Sequence, residues 1–193
     1  MADTLHKTIV IIGAGPAGIG AALRLHRAGF TDLVMLDRFD SAGGIPRKYG
    51  CHAQPSFVLY TRGKIVHGCE FADRLAARLA SSNIDFRPNA TVTEISAADK
   101  TVKVVSSRGG YYEIAGRAVL CACGARERNR TERGQIVGMR PSRVYNSMPV
   151  LDLLNRNRMK SGAAYHVLGS DLISYAMASK LNVHGGSTTM LDH

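Results

Sequence analysis

Near the amino end the run Gly13-Ala14-Gly15-Pro16-Ala17-Gly18 sets three glycines at G-x-G-x-x-G spacing. Each glycine has its own physical task. Gly13 permits a tight turn, Gly15 lets an anion approach bare main chain, and Gly18 with Ala22 lets a helix lie close on a strand. A helix starting at this point offers unpaired N–H groups and a partial positive charge to a pyrophosphate. Asp37 closes the next apolar run, where a carboxylate accepts hydrogen bonds from a ribose. Strand, glycine turn, helix and acid in that order distinguish a dinucleotide fingerprint from a chance glycine triplet.

A fainter copy stands near the carboxyl end. Gly169, Ser170, Asp171 and Ser174 occupy the same spacing, and only the first glycine is kept. An aspartate where a pyrophosphate should approach adds a Cβ and negative charge. A poor NAD(P) site is therefore expected in this half.

The elements that must position these residues follow from the apolar pattern. "KTIVIIGAG" reads as a buried parallel strand, "PAGIGAALRLHRAG" as a helix closed by Gly29, and "DLVMLDR" as a second buried strand, together one βαβ unit. Residues 41–68 are rich in Gly, Pro and polar side chains and read as a long irregular segment. "EFADRLAARLASSN" is a helix and "IDFRP" a short strand. "ATVTEIS", "KTVKVVSS" and "YYEIAG" alternate between turn signals and predict an antiparallel meander. "RAVLCACGA" reads as a return to a buried strand. "MPVLDLLNR" suggests a short helix, and "AAYHVLG", "SDLISYAMASKL" and "STTMLDH" repeat strand, helix, strand. The fold class is α/β: a Rossmann-like domain with parallel sheet and antiparallel meander, followed by an incomplete second Rossmann-like unit. The expected division is 1–125, an Arg-rich connection at 126–160, and 161–193.

Bulk composition excludes some classes. The 193 residues are 45% apolar, enough for a packed core, and carry 25 Lys and Arg against 15 acids, a formal charge of +10. That charge suits a phosphate-bearing ligand as well as nucleic acid. The chain has no Trp and 6% aromatics, so the stacking platform of a nucleic-acid reader is missing and no such partner is expected. Cys51, Cys69, Cys121 and Cys123 are too few and too irregular for a secreted disulfide framework, and no C-x-x-C metal pair occurs. They are expected to be reduced thiols, with Cys121 and Cys123 as buried small hydrophobes. The arginines from Arg126 to Arg143 read as a solvated loop that could neutralise a substrate carboxylate or dock a partner subunit. No apolar segment approaches a membrane span, and the expected location is the cytoplasm.

With these residues in view, "IVIIGAGPAGIGAALRLHRAG" and "LVMLDR" resemble the FAD-binding opening of the pyridine nucleotide-disulfide oxidoreductases, flavoproteins with two dinucleotide-binding domains. The resemblance implies FAD held by Gly13, Ala14, Gly15, Pro16, Ala17, Gly18, Asp37 and Arg38. It further implies that Gly44 belongs to the loop covering the pyrophosphate and that Val92 lies where the backbone meets adenine. Ala122, Cys123 and Gly124 fall at the strand-end motif usually written Ala-Thr-Gly. Within the group, "GGIPRKYGCH", "GARERNR" and "VLGSDLISYA" are most similar to flavin subunits related to opine and amino-acid oxidoreductases and cyanide synthase.

The departures bear on the reaction. In the redox loop of this family Gly-Gly introduces two cysteines, and here Pro46 stands at the first position with Cys51 at the second. Dithiol exchange needs both thiols, so a disulfide reductase is not expected. The implied function is an FAD-dependent oxidoreductase that oxidises a small amine, amino acid or hydroxy compound by hydride transfer to flavin. Two alternatives are a non-catalytic flavin-binding or assembly subunit, and a single-cysteine NAD(P)H-dependent flavin reductase. In the last, Cys51 would cycle through sulfenic acid with its pKa lowered by Arg47, Lys48 or His52, and His52 could carry a proton. The segment that completes the FAD domain in this family is not in the sequence, so the chain is expected to be the front part of a longer protein.

Overall fold

A computed structural model describes residues 4–49, 58–61, 64–129, 131, 132, 134, 142–155, 159 and 162–192. The elements in chain order are β1 (Thr4–Ile12), α1 (Pro16–Arg27), β2 (Leu33–Leu36), α2 (Ile45–Tyr49), β3 (Val58–Thr61), β4 (Lys64–His67), α3 (Gly68–Ala80) and β5 (Asp85–Arg87). There follow β6 (Ala90–Ser96), β7 (Thr101–Ser106), β8 (Gly110–Cys121), α4 (Ser147–Asn155), β9 (Ala164–Leu168), α5 (Leu172–Val183) and β10 (Ser187–Leu191). The chain forms two compact units, one of Met1–Arg47 with Glu70–Gly124, the other of Lys48–Cys69 with Ala125–His193.

The first unit is built on a six-stranded sheet in the order β5-β2-β1-β8-β7-β6. The first four strands run parallel and the last three form an antiparallel meander. Both faces of the parallel part are covered, which is why β1 and β2 read as unbroken apolar runs. Ile9, Ile11, Leu33 and Met35 pack with Ile19, Ala22 and Leu23 of α1 and Leu75 and Leu79 of α3. Val10, Ile12, Val34 and Leu36 pack on the other face with Val102, Val104 and Ile114 of the meander. Val10, Ile11, Val34, Met35 and Leu36 are wholly buried, and each such side chain contributes about 1.5–3 kcal/mol. Pro16 opens α1, where the missing N–H costs no bond, and Gly29 follows its end with φ +93 after a last turn of Arg24, His26 and Arg27.

Three sequence expectations are corrected here. "YYEIAG" and "RAVLCAC" are one strand: β8 pairs with β7 through Ala115 and with β1 through Cys121. Gly116 stands within it, where an added Cβ would meet the Ala118 carbonyl oxygen and Val10 Cγ2, both at 3.0 Å. The later half of β8 is also not buried. Past the β7 register, Arg117–Cys121 has β1 as its one strand neighbour among the described residues, and Leu120 and Cys121 are exposed. Finally, 41–68 is not wholly irregular, since it contains α2 and the antiparallel pair β3 and β4.

In the second unit β9 and β10 are parallel neighbours. Leu151 and Leu154 of α4 pack with Ala176, Met177 and Leu181 of α5. Lys180 of α5 is buried and its Nζ donates to the Lys48 carbonyl at 2.9 Å; burial pushes its pKa down. No helix among the described residues is long and apolar enough to cross a membrane.

Candidate functional site

The glycine turn is fixed by main-chain geometry that only these residues allow. Gly13 has φ +106, and an added Cβ would lie 2.4 Å from the Ala122 carbonyl oxygen. A Cβ on Gly18 would lie 1.9 Å from the Gly13 carbonyl oxygen. Both glycines are thus required by close packing between turn, helix and the end of β8. Gly15 differs. The nearest atom to a Cβ placed there is Gly44 Cα at 4.0 Å, so this glycine keeps a surface open rather than avoiding a clash.

Hydrogen bonds hold the turn on three sides. Gly13 N–H donates to the Leu36 carbonyl at 2.8 Å, and Ala14 N–H donates to Asp37 Oδ2 at 2.6 Å. The Ala14 carbonyl accepts from Gly43 N–H at 2.8 Å. This narrows the expectation of a string of bare amides, because those of Gly13 and Ala14 are engaged within the protein. Pro16 has no N–H. What remains is the first turn of α1, with Gly15 as its N-cap, no side-chain cap, and no acidic residue in its first turn. Its amides at Ala17 and Gly18 precede the first in-helix bond, Ile19 N–H to the Gly15 carbonyl at 2.9 Å.

Asp37 has a second partner, since its Oδ1 accepts from Phe39 N–H at 2.8 Å. An ionised carboxylate has about four acceptor positions, so each oxygen retains capacity for a ribose hydroxyl. The role in holding the loop was missed from sequence. The one available signal was the choice of Asp, whose short side chain bonds readily to the amide two residues on. Around this acid lies a ring of main chain: Asp37 N–H donates to the Arg87 carbonyl, Ala90 N–H to the Asp37 carbonyl and Asn89 N–H to the Phe39 carbonyl. Val92, half-buried, follows on β6 just before the register shift at Glu94. Arg38 is exposed and its guanidinium lies over the Phe39 ring, 4.8 Å from the centroid.

The Gly43-Gly44 pair closes the cradle from above. Gly43 has φ +120 and an added Cβ would meet Ala72 Cβ at 2.7 Å; Gly44 has φ +65 and its Cβ would meet Gly15 Cα at 2.8 Å. Backbone therefore lies directly on backbone over Gly15. Arg47 fastens this loop, its Nε donating to the Ala42 carbonyl at 3.0 Å and its Nη1 meeting Asp73 at 2.8 Å.

At the end of β8, Ala122 N–H donates to the Ile12 carbonyl at 2.8 Å, and the Cys123 thiol reaches the same oxygen at 3.8 Å. Gly124 has φ +68. Cys121 and Cys123 are free and exposed, which corrects their reading as buried hydrophobes; they stand where β8 runs past β7. Cys69 is disulfide-bonded, which corrects the expectation of reduced thiols throughout. Cys51 and His52 lie outside the described residues.

Part of the arginine segment is organised rather than loose. Glu127 accepts from Ser147 N–H at 3.1 Å, Ser147 Oγ at 2.8 Å and Met148 N–H at 3.2 Å, capping α4. Arg126 pairs with Glu132, whose pKa is lowered by that contact and by the Asn129 amide. Arg128 remains exposed.

A mainly parallel β-sheet, a glycine turn under an uncapped helix and an acid at the second strand form the architecture of a dinucleotide-binding fold. No protein-family model matches the chain. It is similar to the "34.2 kDa protein in rubredoxin operon" of Clostridium pasteurianum, 28% identical over 66% of this chain and 38% of that protein. It is similar also to the glutamate synthase [NADPH] small chain of Mycobacterium tuberculosis, 34% identical over 49% of this chain and 17% of that protein. In fold it matches L-proline dehydrogenase from P. horikoshii, with a TM-score of 0.71 at 20% identity, over 99% of this chain and 36% of that one. The chain thus spans well under half the length of these relatives. The fold is a mixed α/β one resembling the FAD-binding Rossmann-like domains of flavoprotein oxidoreductases.

Proposed function

We propose that this chain supplies the FAD-holding part of an oxidoreductase whose substrate is a small amine, amino acid or hydroxy compound. The observation that carries the cofactor reading is the open face of Gly15 at the uncapped start of α1, roofed by Gly44. A side chain at Gly15 would project into that open face, and one at Gly44 would strike Gly15 Cα, so both positions stay bare. The first-turn amides and the α1 dipole neutralise the diphosphate, Asp37 takes the ribose hydroxyls, and the main chain from Ala90 to Val92 borders the adenine. The Gly43-Gly44 loop, fastened by Arg47, shields the diphosphate from water.

FAD, when bound, supplies a two-electron acceptor for hydride. The protein's contribution is to hold and orient it. Pro46 of α2 stands at the position where the family resemblance implies a redox-loop thiol, which supports direct oxidation of a substrate over dithiol exchange. The likeness to L-proline dehydrogenase supports an amino or imino acid as the substrate class.

The test is spectroscopic. The purified protein should show the visible bands of oxidised flavin, either as isolated or after addition of FAD. Anaerobic addition of amino acids, small amines and hydroxy acids, one at a time, should bleach those bands with at least one compound. A protein that holds no flavin after incubation with FAD overturns the cofactor reading. A flavin that no such compound reduces overturns the substrate class.

A further inference from the structure

The second unit repeats the glycine turn of the first almost position by position. Gly169 has φ +112 where Gly13 has +106, and its N–H donates to the Leu191 carbonyl at 2.8 Å as that of Gly13 does to Leu36. Both α1 and α5 are helices of 12 residues. Their N-caps share one backbone conformation, φ −80 and ψ −177 at Gly15, φ −75 and ψ 169 at Asp171. Beyond the helices, Gly29 and Gly185 take φ +93 and +80. The acids after the second strands correspond as well: Asp37 Oδ2 accepts from Ala14 N–H and Asp192 Oδ2 from Ser170 Oγ, each at 2.6 Å.

Against this shared geometry the two helix starts differ in chemistry. In α1 the N-cap has no side chain and no cap bond. In α5 the N-cap is Asp171, whose Oδ1 accepts from Ser174 N–H at 2.8 Å and from Ser174 Oγ at 2.9 Å. The donor that answers to the Gly18 amide is therefore taken by an anion belonging to the chain itself. Ser174 also replaces the third glycine, and its Oγ lies 3.0 Å from where a Cβ on Gly169 would stand.

We propose that the second unit is a dinucleotide-type crest closed from within: the Asp171 carboxylate stands in the place of a pyrophosphate, and the unit does not accept NADH or NADPH. A diphosphate entering here would have to displace Asp171 from the Ser174 amide and then sit beside its charge. The fold keeps the dinucleotide-binding framework and satisfies it without a ligand. This inference stands apart from the flavin reading, because nicotinamide binding is measured directly.

Isothermal calorimetry of the purified protein with NADH and with NADPH, FAD being present in cell and syringe, reads the second unit with the first cradle supplied with its own ligand. Heat on adding FAD alone is recorded separately, so failure of the flavin reading shows on its own. The wild-type protein should give no saturable binding below about 1 mM. Asp171→Gly, which leaves an acceptable N-cap residue, and Asp171→Gly/Ser174→Gly should bind at least tenfold more tightly than wild type. Asp171→Asn keeps the cap bond and removes the charge, and should gain several-fold if the glycine variants do not fold. Saturable wild-type binding at tens of micromolar overturns the proposal. So does a set of folded variants that bind no better than wild type.

Discussion

The Asp37 carboxylate receives the Ala14 amide at 2.6 Å, which ties the end of β2 to the middle of the glycine turn. The acid therefore shapes the glycine turn, beside the ribose contact proposed for it. Asp37→Ala removes the acceptor of two main-chain amides, those of Ala14 and Phe39. Each orphaned donor costs about 1–3 kcal/mol when shielded from water and less at this half-exposed site. The expected result is a lower melting temperature in the absence of FAD and at least a tenfold loss of FAD affinity. Asp37→Asn retains one acceptor oxygen and should fall between the two. Thermal melts with and without FAD separate the effects, and a variant that loses affinity with an unchanged apo melt would show that the carboxylate has no part in shaping the loop.

Two glycines of α1 that look alike in sequence should respond oppositely to alanine. At Gly18 the new Cβ would fall 1.9 Å from the Gly13 carbonyl, a backbone atom that cannot move aside without opening the turn. At Gly20 nothing lies within 4 Å. Gly18→Ala should cost more than about 3 kcal/mol, or prevent folding, as overpacking against backbone does. Gly20→Ala should be neutral or stabilise by up to about 1 kcal/mol, since alanine is the better helix former. Denaturant unfolding of the two variants beside wild type checks both signs.

That contrast marks where the sequence was legible. The G-x-G-x-x-G spacing distinguishes Gly18 from Gly20 because the motif encodes a contact between neighbours in the chain. The buried runs Ile9–Ile12 and Leu33–Leu36 were equally readable, because a strand covered on both faces must be apolar at every position. Gly116 was misread as a strand end because a glycine can stop a strand or stand within one, and only its pairing with Lys7 shows that the strand runs on. Exposure of Cys121 depends on how far β7 runs alongside β8, which is a tertiary fact. The β3–β4 pair was hidden by the Gly and Pro residues around it, and the reach of Asp37 back to Ala14 depends on a distance across the sheet.

Glu127 should act as a cap supplied from outside its helix. It accepts two amides and a hydroxyl at the start of α4, and α4 has no acidic residue in its own first turn. Glu127→Ala should destabilise the protein by about 1 kcal/mol, in the range of other N-cap losses, and Glu127→Gln by less. Urea unfolding measures both. Equal stability of Glu127→Ala and wild type would mean that water replaces the carboxylate without loss.

Asp32 should contribute stability that is lost in acid. Its Oδ2 accepts from Thr8 N–H at 2.8 Å and its Oδ1 lies 3.2 Å from Lys7 Nζ. The Thr8 amide foremost, with Lys7 assisting, holds its pKa below the ordinary 3.8. A carboxylate with a lower pKa folded than unfolded stabilises the protein above the unfolded value, and that contribution disappears as pH falls through the folded value. The side chain is 50% exposed, so solvent screening limits the effect to about 0.5 kcal/mol. Asp32→Asn keeps an acceptor for Thr8 and removes the charge. It should melt slightly below wild type at neutral pH, and the difference should close as both are taken below the folded pKa. A difference that persists unchanged into strong acid would assign the effect to packing instead of charge.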